Sequence, residues 1–103
     1  MKNENQAKKS ELLNARQIVN LKSELKNDWE VIDNKKIKHQ FVFKDFLEAI
    51  NFINKIARAA EEMSHHPNIL VCYNKITIEI WTHKSGGLTE LDFELARKIE
   101  RFE

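Results

Sequence analysis

Apolar and polar residues recur along this chain with two different periods, and the changes of period divide it into seven elements. Residues 1–10 (MKNENQAKKS) carry no period and read as a disordered tail. Leu12, Leu13, Ile18, Leu21 and Leu25 then make a rough helical stripe, with Ser10 as its cap and Lys8, Lys9, Arg16 and Lys22 on the solvated side. At Trp29 the period falls to two. Residues 29–32 and 37–43 read as strands joined by a turn, with Ile37, His39, Phe41 and Phe43 sharing one face. His39 shares its parity with two phenylalanines, which suits a hydrogen-bonded histidine in or beside the core.

Asp45 caps the clearest helix, which runs to about Met63. Phe46, Ile50, Ile53, Ala57 and Ala60 stand three or four residues apart, and Ala49 and Ile56 widen that stripe. Pro67 disfavours helical geometry at His66, so the helix stops near Ser64 or His65. It therefore delivers two adjacent histidines at its C-terminus, where the helix dipole favours positive charge. Residues 68–73 form a strand, Asn74-Lys75 a turn, and residues 76–83 the strongest alternation in the chain. There Ile76, Ile78 and Ile80 point one way and Thr77, Glu79, Trp81 and His83 the other. After Gly86-Gly87, Thr89 opens the last helix with Asp92 three residues on, close to a capping box. Leu91, Leu95, Ile99 and Phe102 are its buried stripe. The order α-β-β-α-β-β-α, with short turns between paired strands, predicts an α+β fold: a four-stranded antiparallel sheet with helices on one face.

Composition narrows the possibilities. A length of 103 residues suits one domain, placed at 11–103, and a 42% hydrophobic fraction is enough for a small core. So small a domain gains stability by associating with copies of itself. Seventeen basic residues against sixteen acidic ones leave a net charge of +1, which gives no electrostatic argument for direct binding of nucleic acid or a membrane. The longest apolar run is far short of a membrane span. The single cysteine, Cys72, and the lack of an apolar N-terminal signal segment fit a reduced, cytoplasmic protein.

Three of the four histidines gather at neighbouring element ends: His65 and His66 beside Pro67, and His83 after Thr82. Histidine titrates near pH ~6.5 when unperturbed, so this cluster suits general acid/base work. No nucleophile competes with it. Ser64 and Ser85 lack a nucleophile-elbow context, and mid-strand Cys72 reads as a small buried hydrophobe. Zinc held by His65, His66 and His83, with Cys72 or Asp92, is the rival use, but the spacing matches no common zinc signature.

Residues 29–100 resemble the pterin-4a-carbinolamine dehydratases, a family also known as the dimerisation cofactor of a homeodomain transcription factor. The resemblance rests on Trp29, the F-x-F-x-D-F segment at 41–46, Ala57, Ala60-Glu61 and His65-His66-Pro67. It continues through Tyr73-Asn74, Thr82-His83, Gly87-Leu88-Thr89, Asp92 and Leu95-Ala96. It implies a four-stranded antiparallel sheet with three helices on one face. The implied activity is dehydration of 4a-hydroxytetrahydropterin to quinonoid dihydropterin in tetrahydrobiopterin recycling, functionally beside an aromatic amino acid hydroxylase. No metal and no organic cofactor are implied. By the same resemblance His65 and His83 are the acid/base pair, His66 and Asp92 bind the pterin, and Glu61 supports them from the preceding helical turn. The assembly would be a homodimer or homotetramer, for which the apolar strand at 69–73 is a candidate pairing edge. The alternative is a protein-interaction module, coactivator-like, with little catalysis.

Overall fold

In a computed structural model, residues 9–103 are described, so most of the tail expected at 1–10 lies outside the described residues. Seven elements follow: α1 (Ala15–Ser23), β1 (Glu30–Ile32), β2 (Lys36–Val42), α2 (Phe46–Met63), β3 (Asn68–Cys72), β4 (Lys75–Ile80) and α3 (Glu90–Phe102). The strands form one sheet in the order β1-β2-β4-β3, and every neighbouring pair is antiparallel. The α+β architecture predicted from the order of periods is therefore the one observed.

The β1–β2 turn places Asp33 and Asn34 at φ of 52° and 56°, a left-handed geometry that short polar side chains tolerate. At the other hairpin, Asn74 donates from Nδ2 to Phe43 O at 2.7 Å and accepts from Phe43 N at 2.9 Å, tying the β3–β4 turn to the end of β2. Ile37, Phe41, Ile76, Ile78 and Ile80 face the helices and are fully or almost fully buried. Ala49, Phe52, Ile56 and Ala59 of α2, with Phe93, Leu95, Ala96 and Ile99 of α3, cover them.

Five local expectations need correction. Asn14, not Ser10, caps α1: its side chain accepts from Gln17 N while Gln17 Oε1 accepts from Asn14 N, each at 2.9 Å. Leu12 falls outside that helix and is exposed. The buried face of α2 runs through Ala49, Phe52, Ile56, Ala59 and Ala60, so Phe46 and Ala57 sit at its margin, exposed. The apolar residues of α2 cover well over half of its circumference, so spacing alone admitted either centre for the stripe. Cys72 is exposed at the end of the edge strand β3, not buried within a sheet. His39 lies half-buried beside the core, as expected, but in place of the expected hydrogen bond it packs among rings, 5.5 Å from Trp29 and 4.7 Å from Phe41 between centroids.

A buried carboxylate anchors the far end of α3. Glu100 accepts from Lys26 N (2.9 Å), Asn27 N (2.7 Å), Asn27 Nδ2 (3.1 Å) and the Trp29 indole N–H (3.0 Å). Four donors satisfy a charge that burial alone would penalise heavily. The loop before β1 is thereby fixed to α3. At the opposite end Lys9 Nζ lies 2.8 Å from Glu94, whose carboxylate holds the ammonium pKa above its ordinary 10.5.

Candidate active site

The site forms where the C-terminus of α2, the turn after β4 and the N-terminus of α3 meet. Ser64 closes α2 in the left-handed region (φ 51°, ψ 41°), and its N–H donates back to the Ala60 and Glu61 carbonyls. His65 N donates to Ala60 O at 3.0 Å. That cap reverses the chain so that His65 turns under the helix end and His66 outward. A left-handed serine costs roughly 1 kcal/mol, which the surrounding hydrogen bonds offset.

The turn after β4 is closed on Thr82. Its carbonyl accepts from Ser85 N (3.1 Å) and Gly86 N (2.9 Å), while Thr82 N donates to Gly87 O (3.0 Å). Gly86 sits at φ +75°, a conformation glycine adopts without steric cost. Alternation along β4 sends Thr82 inward, on the parity of Ile78 and Ile80, and sends Trp81 and His83 outward.

Three elements then share one buried network. Thr89 caps α3, and Asp92 completes the capping box by accepting from Thr89 N at 2.8 Å through Oδ2. The same oxygen accepts from Thr82 Oγ1 at 2.9 Å, and the Thr82 and Thr89 hydroxyls are 2.7 Å apart. His65 Nε2–H donates to the other carboxylate oxygen, Oδ1, at 2.6 Å. Asp92 is 0% exposed and His65 8%. Asp92, expected among the pterin-binding groups, therefore faces His65, Thr82 and Thr89. An ionised carboxylate only accepts, so in neutral His65 the proton sits on Nε2 and Nδ1 carries the free lone pair.

His66 is exposed and paired through Nε2 with Oε2 of Glu61, one turn back on α2. His83 is exposed and stacks on Trp81, ring centroids 4.2 Å apart and planes 25° from parallel. His65, His66 and His83 all line one open cleft of ≈ 940 Å³, whose walls include Pro67, Trp81 and Thr82. The structure thus brings the three histidines together; Asp92 lies behind the cleft wall and Glu61 beside its rim. Thr82, Thr89 and Trp81 also belong to the site, though sequence reasoning gave them no role there. A signal for Thr82 was present: a hydroxyl at a core-facing strand position needs a buried partner. Among the described residues no group of three His, Cys, Asp or Glu side chains is arranged to hold a metal ion.

The pterin 4 alpha carbinolamine dehydratase family model matches residues 11–102. The chain belongs to that family. A provisionally named pterin-4-alpha-carbinolamine dehydratase of Picosynechococcus is 51% identical over 74 residues, 72% of this chain and 79% of that protein. One of Rickettsia canadensis is 44% identical over 88 residues, 85% of this chain and 81% of its own length. Among solved structures, a transcriptional coactivator/pterin dehydratase from Brucella melitensis superposes with a TM-score of 0.83 at 33% identity, covering 87% of this chain and 96% of that one. A pterin dehydratase-like protein described as a RuBisCO assembly factor of the alpha-carboxysome has a TM-score of 0.63 at 19% identity, covering 75% and 90%, a likeness of fold alone. No helix among the described residues is long and apolar enough to cross a membrane.

Proposed function

We propose that this dehydratase-family member removes water from 4a-hydroxytetrahydropterin, giving quinonoid dihydropterin in tetrahydrobiopterin recycling after an aromatic amino acid hydroxylase. The observation that carries the reading is the Asp92–His65 pair opening on the same cleft as His66 and His83. The reaction needs one proton delivered to the 4a-hydroxyl and one removed from N5. The C4a–O bond breaks, water leaves, and the N5–H electron pair becomes the N5=C4a bond. His65, oriented by Asp92, offers Nδ1 as the base for the N5 proton. His83, exposed and reachable by bulk protons, supplies the acid for the departing hydroxyl. His66 binds and orients the pterin, and Glu61 holds His66. Asp92 acts through His65. These steps call on no metal or organic cofactor.

The rate of 4a-carbinolamine loss, with substrate generated in situ by a phenylalanine hydroxylase, tests the reading. Wild type should exceed the uncatalysed rate, and His83→Ala should lose on the order of 10²-fold or more of the excess, the usual share of one general acid. No acceleration by folded wild type would overturn it.

A homodimer or homotetramer fits the small core, with the β3 edge as the pairing element. An interaction module is the second reading. Phe46 and Leu47 are exposed on α2, and the Brucella relative is described as a coactivator as well as a dehydratase. Biological activity retained by a variant with alanine at positions 65, 66 and 83 would favour it.

A further inference from the structure

His65 and His66 each have a carboxylate partner, but His83 has none. Among the described residues its imidazole makes no hydrogen bond or ion pair, and its ring contact is with Trp81. The backbone around it is fixed, because Gly86 N donates to both Thr82 O and His83 O and the turn closes on Gly87. The side chain is a different matter. An exposed histidine in a turn samples several rotamers unless something selects one, and an acid group misplaced by even 1 Å loses rate steeply.

We propose that Trp81 is the positioning residue for His83. Its indole would select the imidazole rotamer that faces the cleft, and a further set of contacts on the sheet's open face would hold the indole. The register Ile37↔Ile80 sets Lys36 of β2 opposite Trp81, and Lys36 Nζ lies 5.5 Å from the indole centroid. The same ammonium is 3.5 Å from Glu79, which shares the outward parity of Trp81 on β4. Glu79 restrains Lys36, Lys36 lies over the indole, and the indole underlies the imidazole. Near-parallel rings at this separation attract through dispersion and the ring quadrupole, and a cation over the indole adds to the restraint on the latter. The tripeptide Trp81-Thr82-His83 therefore serves both acid/base histidines: Thr82 reaches inward to Asp92, which holds His65, while Trp81 reaches outward to His83.

This inference rests on the dehydratase reading for its kinetic consequence, but its geometric content is measurable without catalysis. The imidazole proton resonances of His83, identified by their loss in His83→Gln, report the ring current of the indole beneath. They should be shifted upfield in wild type, remain so in Trp81→Phe, and return towards random-coil positions in Trp81→Leu. Dehydration kinetics on the same proteins should show kcat lowered on the order of tenfold in Trp81→Leu, a fraction of what outright misplacement costs, with KM within about twofold and most of the rate restored in Trp81→Phe. Resonances of His83 indifferent to the leucine variant would overturn the proposal. So would an unchanged kcat with a raised KM, which would make Trp81 a wall that touches the pterin. Wild type with no dehydratase activity would refute the functional reading, while the resonances would still decide whether the indole holds the imidazole.

Discussion

Asp92 Oδ1 lies 2.6 Å from His65 Nε2, both side chains are buried, and the second carboxylate oxygen is occupied by Thr82 Oγ1 and Thr89 N. One carboxylate thus caps α3, fastens the turn after β4 and fixes which nitrogen of His65 is available. Folding and chemistry meet on one residue.

Asp92→Asn tests that double duty. An amide keeps the shape but can accept on one side only, so its NH₂ must face either His65 N–H or the Thr82 and Thr89 donors. We expect a loss of stability of about 1–3 kcal/mol, the cost of leaving a buried polar group unsatisfied, seen as a lowered denaturant midpoint with unchanged m-value. Dehydratase activity should fall on the order of 10²-fold even well below that midpoint, because His65 loses its fixed tautomer. Full activity in a folded Asp92→Asn would show that His65 does not need the carboxylate.

His66 and Glu61 are both exposed, so their variants should separate binding from folding. His66→Ala is expected to raise KM several-fold with thermal stability unchanged, since surface substitutions usually stay within about ±0.5 kcal/mol. Glu61→Gln should give a smaller change in the same direction. Steady-state kinetics and a thermal melt on the same samples read both. A kcat loss without a KM change in His66→Ala would move that residue from binding to proton transfer.

Glu100 stands apart from the cleft and offers the opposite signature. Glu100→Gln puts an NH₂ against some of the donors from Lys26, Asn27 and Trp29 and should destabilise by roughly 2–4 kcal/mol, judged from several charge-assisted bonds lost together. Its kcat per folded molecule should match wild type. Trp29 fluorescence follows the loosening directly, because the indole N–H is one of the four donors.

Edge strand β3 leaves Leu70 60% exposed and Val71 40% exposed, with Tyr73 beyond them at 65%. Lysine on an edge strand opposes pairing between copies. If β3 joins subunits, Leu70→Lys with Val71→Lys should shift sedimentation velocity towards monomer while the far-ultraviolet circular dichroism is kept. An unchanged sedimentation coefficient would place the contact on another face.

Much of this protein is determined locally. Period-two alternation at 76–80, the stop imposed by Pro67 on the helix before it, and the Thr89/Asp92 cap all arise from interactions within a few residues, so the seven elements and their order were legible in the chain. The histidine cluster was legible for the same reason: His65, His66 and His83 fall at element ends that those local rules define. Tertiary structure decided what local rules leave degenerate. Apolar residues around most of α2 allow more than one buried face, and only packing against Ile37, Phe41 and Ile78 selects Ala49, Phe52 and Ile56. Strand order β1-β2-β4-β3 depends on long-range hydrogen bonds, and it is this order that exposes Cys72 at an edge. The partners of Asp92 come from three elements separated by up to 27 residues. A capping box predicts where a carboxylate starts a helix; only the folded chain brings a histidine and a threonine to its remaining lone pairs.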